Sequence, residues 1–376
     1  MANLKTVNIE VDTASWSPNP VPEDIQRLAR IGTRDTDVDS ALLHTALWTR
    51  PPNCFGFSLS DCWAWLRYQR AIATTGDLRL RQEWEDVDPH QKTVLSDELG
   101  IGFTTQLLSE CLGFQLYSDT QFVANVLLPG RFNLGRYSKR GPRKSPDYIA
   151  VDSDLRFNAV ECKGTQSSLE ELGLALQRGV SQKSNLTGSG GTRINHSLVA
   201  GLYIPTWSSP YAATIRVQDP FDEEMASLFS GFSERELLIA VTQVAFSKHF
   251  ALMGLSNLAG ILSKVKVVEL EKNGLPDAAR GDMSVGKDVL TFETEYPLPV
   301  VEQYENDAHV RARLIRFKMD YRRDFYEEII ASKDVSASIH RMALGIKGHD
   351  WKTYSDFETA GFQSPLGFNL SLQFLY

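Results

Sequence analysis

Two short apolar runs joined by a polar turn most constrain what the middle of this chain can fold into. Tyr148-Ile149-Ala150-Val151 ends at Asp152-Ser153-Asp154, and a second run extends from Phe157 to Cys162. Runs of this length around a turn predict a β-hairpin. From Ser167 to Lys183 the apolar spacing changes to three or four residues (Leu169, Leu172, Leu176, Val180), which predicts a helix. Leu198 to Ile204 is a further strand, stopped by Pro205. Strand pair, helix and return strand together predict an α/β fold built on a mixed sheet.

Upstream, Ser96-Asp97-Glu98-Leu99 opens a pattern of Leu99, Phe103, Leu107, Leu108 and Leu112 that ends at Gly113, a helix of about four turns. Phe114 to Leu128 alternates well enough for one or two strands, broken at Ser118-Asp119. The order expected over roughly 91–206 is therefore helix, three strands, helix, strand. Residues 1–90 form a mostly helical N-terminal region with a Pro-rich opening. Trp48, Trp63, Trp65 and Trp84 lie there, and their large apolar area places them in a core before it makes them base-stacking platforms. Residues 207–376 form a C-terminal α+β region. In it a capping box, Ser233 with Glu236, precedes a helical pattern to Leu262. Strands are expected at 265–270, 289–296 and 312–319, and a helix at 324–331.

Composition narrows function by exclusion. With 376 residues, 42% apolar and 23% charged, the chain can bury a full core and is neither fibrous nor disordered. No run of about 18 apolar residues suggests a membrane span, and no secretory signal is visible. Cys54, Cys62, Cys111 and Cys162 lack metal-ligand spacing, which predicts reduced thiols, no structural zinc and a cytoplasmic protein. The net charge of −8 argues against coating nucleic acid through overall charge. It leaves room for a local grip, because Arg131, Arg136, Lys139, Arg140, Arg143 and Lys144 stand together with no acidic residue between them. A second basic group, Arg311 to Arg323, falls on both faces of its predicted strand and is a possible secondary contact surface. No phosphate-binding loop, nucleophile elbow or His-Glu-x-x-His occurs, so no nucleotide cofactor is implied.

The residues that carry chemistry stand at the ends of the hairpin. Asp147 heads the first strand, and Glu161-Cys162-Lys163 closes the second. Residues two apart in a strand share a face, so Glu161 and Lys163 project together and the hairpin returns Asp147 to their side. Two carboxylates and a carbonyl oxygen are hard ligands suited to Mg²⁺, and a neighbouring lysine can activate water or neutralise charge on a phosphate. A cross-strand ion pair is the plainer alternative. Pro276-Asp277 with Glu293-Thr294-Glu295 imitates the pattern but lacks both the strand and the lysine.

Pro146-Asp147 followed by Glu161-Cys162-Lys163, in this order of elements, resembles the PD-(D/E)xK nuclease superfamily, whose fold is restriction-endonuclease-like. The resemblance covers about 110 residues. It implies that Asp147, Glu161 and the Cys162 carbonyl hold a metal, Mg²⁺ or in its place Mn²⁺, and that Lys163 is catalytic. It also implies a metal-side role for Glu98 on the preceding helix and a site role for Gln177 on the following one. Arg136, Lys139, Arg140, Arg143 and Lys144 would then grip the substrate backbone. The expectation is a Mg²⁺-dependent endonuclease acting on DNA in preference to RNA. It could serve as a restriction or anti-phage effector, as a homo-oligomer or with a partner protein of a defence system, and with no membrane contact. The alternative is a non-catalytic nucleic-acid-binding or scaffold subunit with the same fold.

Overall fold

Period-two and helical patterns resolve into a seven-stranded mixed sheet covered by helices and a five-stranded antiparallel sheet that follows it. The computed structural model describes residues 3–16, 19–52, 67–74, 76–130, 133–134, 145–183, 186–187, 194–219, 233–253, 255–267, 289–305, 308–332, 334–355 and 359–375. The chain opens with β1 (Leu4–Asp12), α1 (Glu23–Ala29), β2 (Thr33–Asp37), α2 (Val38–Trp48), α3 (Pro89–Leu112) and β3 (Phe114–Asp119). It continues with β4 (Asn133–Leu134), β5 (Tyr148–Asp152), β6 (Phe157–Thr165), α4 (Leu169–Lys183), β7 (Leu186–Thr187), β8 (Ile194–Tyr203) and β9 (Thr214–Gln218). The C-terminal part comprises α5 (Glu234–Leu252), α6 (Ser256–Leu262), β10 (Val289–Glu305) and β11 (Ala308–Arg322). After these come α7 (Arg323–Ala331), α8 (Val335–Leu344), β12 (Lys352–Ser355), β13 (Thr359–Gln363) and β14 (Asn369–Leu375).

The large sheet has the order β2-β1-β9-β8-β6-β5-β3. β3, β5 and β6 run antiparallel in turn, and β8 lies parallel to β6, as a crossover through α4 requires. The order helix, three strands, helix, strand is thus present as α3, β3, β5, β6, α4, β8. The sheet also runs across the junctions expected near residues 90 and 206, since β1 and β2 extend it from the N-terminal region and β9 from beyond residue 206. Residues 1–90 therefore supply strands as well as helices.

Three local expectations need correction. α3 begins at Pro89, not near Ser96: Asp88 caps it by accepting from the His90 N–H, and a proline is at home in the first helical turn. Its end at Gly113 is as expected, with φ at 68°. Of the one or two strands expected between Phe114 and Leu128, one forms, β3, ending at the expected break, and the second half is the part that differs. Phe122, Val123, Val126 and Leu127 are spaced for a helix, and they form a helical turn that buries Val123 and Leu127. The pattern from Ser233 to Leu262 divides at Met253, next to the poor helix former Gly254, and Val265 to Val267 is not a strand.

Helices cover both faces of the sheet where the hairpin lies. Leu172 and Leu176 of α4 pack on Val199 and Tyr203, while Leu99 and Phe103 of α3 join the main core with Cys162 and Ala200. Trp48 is fully buried and meets Trp351 edge-on at 6.0 Å, which makes it core. Trp84 is half-buried against the same core, and Trp63 and Trp65 lie outside the described residues.

Candidate active site at the open end of the hairpin

The register of the hairpin builds the site. Tyr148 pairs with Val160, so Asp147 stands one residue beyond the ladder, opposite Glu161. The Glu161 carboxylate accepts the Asp147 N–H at 3.0 Å, and Asp147 accepts the Cys162 N–H at 2.8 Å. Lys163 Nζ pairs with the other Glu161 oxygen. The Asp147 carbonyl accepts from the Thr120 N–H at 3.0 Å, which ties the strand head to the turn after β3. Asp147, Glu161 and Lys163 are therefore together, and the Cys162 carbonyl belongs to the residue that already holds Asp147.

Burial gives these contacts their chemical meaning. Glu161 is fully buried, and burial together with the Asp147 charge pushes its carboxyl up to about 8. Asp147 is also raised, first by burial and then by Asp119 and Asp97, against the pull of Lys163 and the Cys162 N–H. Burial works to lower Lys163, but the Glu161 carboxylate outweighs it and the ammonium is held above its ordinary range. Lys163 is thus kept as a cation.

Close backbone contacts let the helices reach this point. Gly100 of α3 lies on the Lys163 carbonyl and Gly164, and Gly164 in turn lies on the Ser96 carbonyl. Across the sheet Lys163 is in register with Gly201, which leaves space beside its stem. Past the end of β6, between α3 and α4, opens a cleft of about 590 Å³ whose lining includes Lys92, Asp97, Lys163, Gln166 and Arg178.

The remaining expected residues are placed differently. Glu98 faces away: its carboxylate takes the Tyr68 hydroxyl. The preceding residue, Asp97, lines the cleft and feels Lys163, so the acidic group that α3 brings to the cleft is Asp97, one position before Glu98. Gln177 is exposed on α4, whereas Glu171, Ala175 and Arg178 line the cleft. His196 is buried on β8, with Nε2 at 2.8 Å from Asp24. Arg136, Lys139, Arg140, Arg143 and Lys144 lie outside the described residues. The second basic group is largely offset: Arg316 pairs with Glu293 and Glu295, Lys318 with Asp320, Arg322 with Asp324 and Arg323 with Glu327. The acids of the Glu293-Thr294-Glu295 imitation are thus engaged by Arg316.

The donor set is all oxygen, from the buried Glu161 carboxylate, whose ionisation Asp147 disfavours, and the half-buried Asp147 carboxylate, and this suits a hard divalent cation. Among the described residues no three His, Cys, Asp or Glu side chains converge as metal ligands. Mg²⁺, which keeps several waters, fits two carboxylates better than Zn²⁺, which wants a closed tetrahedral set.

This charge arrangement predicts a stability signature. A carboxyl with a raised folded pKa stabilises the fold most at low pH, and that stability is lost between its ordinary value of 4.5 and about 8. Glu161→Gln, which copies the protonated form, is expected to raise unfolding free energy by about 4 kcal/mol at pH 8.5 and by about nothing below pH 4. Chemical denaturation at both pH values checks this, and a plain structural ion pair would give destabilisation at pH 8.5 instead.

Set against known protein families, curated proteins and solved structures, the chain matches none. No described helix is long and apolar enough to cross a membrane.

Proposed function

We propose that this chain is a metal-dependent nuclease that hydrolyses phosphodiester bonds in DNA. One observation carries the reading: Asp147, Glu161 and Lys163 meet at the open end of one hairpin, with Glu161 buried and its ionisation disfavoured by the neighbouring Asp147. The order of α3, β3, β5, β6, α4 and β8 supports the PD-(D/E)xK resemblance, and with it a restriction-endonuclease-like core. Asp147 and Glu161 would hold Mg²⁺, which when bound supplies Lewis-acid polarisation of a phosphate oxygen. Lys163, held as a cation, offsets negative charge that develops on the phosphate. α3 and α4 wall off the approach beside Lys163. A cytoplasmic restriction or anti-phage effector is the setting we propose for such an enzyme.

The second reading, a non-catalytic nucleic-acid-binding subunit, draws on the fact that the Glu161 oxygens already have partners within the protein. Calorimetry with Mg²⁺ and a cleavage assay on both plasmid and single-stranded DNA separate the two. Heat of binding that disappears in Asp147→Ala, together with Mg²⁺-dependent cleavage, supports the nuclease. Absence of both leaves the scaffold.

A further inference from the structure

We infer that the cleft beside Lys163 receives an unpaired strand, with Trp207 and Tyr211 as stacking platforms at its edge; this rests on the nuclease reading for the identity of the reacting site. Trp207 is 45% and Tyr211 57% exposed, so both rings are accessible for stacking. Both lie in the segment that leaves β8, and backbone and side-chain hydrogen bonds fix that segment to the cleft. The Ile204 N–H donates to the carbonyl of Thr165, a cleft residue, at 2.9 Å. The Ser208 N–H donates to the Glu85 carboxylate at 2.7 Å, and the carbonyl of that same Glu85 accepts from Nζ of Lys92, another cleft residue, at 2.6 Å.

The segment is held in shape as well as in place. Arg79 donates to the Trp207 and Ser209 carbonyls at 3.1 and 3.3 Å, and the Tyr203 hydroxyl meets Ser209 Oγ at 2.9 Å. Aromatic rings presented on an ordered backbone lose little freedom on binding. Lys92, Lys163 and Arg178 contribute three cations to the cleft, with Asp97 and Glu171 as its acids. Exposed aromatics beside a groove with basic side chains are what an unpaired nucleic-acid strand needs, because its bases are free to stack while its phosphates follow the cations. A duplex keeps its bases stacked inside and gives the two rings nothing to cover.

The test is fluorescence anisotropy of the full chain with a labelled 20-nucleotide strand and with its duplex, in buffer without divalent ions so that no cleavage intervenes. The single strand is expected to bind tighter than the duplex. Trp207→Ala and Tyr211→Ala should each weaken single-strand binding by about 5- to 100-fold, while Trp207→Phe keeps most of it. The double variant Lys92→Ala/Arg178→Ala should weaken it too and reduce the slope of log affinity against log salt by about one to two. Duplex binding equal to or tighter than single-strand binding, or aromatic variants with unchanged affinity, overturns the inference. Capture of apolar peptides at these rings without any nucleic-acid binding overturns it as well. A chain that binds single strands through these residues but cleaves nothing with Mg²⁺ defeats the nuclease reading alone. One that cleaves duplex with Trp207→Ala unaffected defeats the stacking inference alone.

Discussion

Replacing Lys163 with alanine is expected to lower single-turnover cleavage by about 10²- to 10³-fold while the chain stays folded. The side chain is 22% exposed and its ammonium pairs with a glutamate whose pKa already stands near 8. On its loss Glu161 can take a proton in place of the cation, so the fold has an inexpensive response. Under the proposed nuclease reading the chemistry has none, because charge building on a phosphate would then meet two carboxylates with no protein cation between them. The same variant should retain Mg²⁺ binding measured by calorimetry, since it frees an oxygen of Glu161 and removes no ligand. Asp147→Ala should lose both binding and cleavage. Lys163→Arg should recover little, because a planar guanidinium cannot place its charge where the compact ammonium meets Glu161. Cleavage by Lys163→Ala within twofold of wild type would remove this residue from the mechanism.

Much of this arrangement was legible in the sequence because it depends on local periodicity. The β5–β6 hairpin, α4 and β8 follow from alternation and three-to-four spacing, and the hairpin alone brings Asp147 opposite Glu161. The α3 carboxylate was not legible to one residue. Asp97 and Glu98 are both acids in one helical turn, and only the contact of Gly100 with Gly164 decides which of them faces the cleft. The start of α3 at Pro89 was obscured because Asp88-Pro89 caps a first turn with no apolar stripe of its own. Pairing of β1 and β9 with the same sheet was hidden for a different reason. It joins residues about 200 apart, as with Asn8 and Thr214, and no short-range pattern encodes that. Trp207 and Tyr211 carry no motif, and their significance depends on hydrogen bonds to Glu85 and Arg79 far along the chain.

The largest effect on stability is expected from one methyl group at Gly164. A β-carbon there would overlap the Ser96 carbonyl oxygen and press on the Asp97 N–H, both backbone atoms within a helix that cannot rotate aside. α3 would have to lift from the end of β6, and it carries Leu99 and Phe103 of the main core with it. Gly164→Ala should therefore cost about 3 kcal/mol or more, enough to leave a modestly stable chain partly unfolded. Gly201→Ala meets only Leu172 Cδ1 at 2.9 Å and the Lys163 Cβ and carbonyl oxygen at 3.0 Å. The Leu172 side chain can yield and the Lys163 backbone must give by a few tenths of an ångström, so about 1 to 2 kcal/mol is expected, with a larger loss of activity because Lys163 is displaced. Gly173→Ala supplies the opposite sign: it lies within α4, its β-carbon would find only Arg216 Nη1 at 3.5 Å, and helix propensity favours alanine by up to about 1 kcal/mol. Urea denaturation of the three variants orders them Gly164→Ala, Gly201→Ala, wild type, Gly173→Ala in rising stability. If Gly164→Ala unfolded at the wild-type midpoint, α3 would not be seated on the end of β6, and the placing of Asp97 beside Lys163 would fall with it.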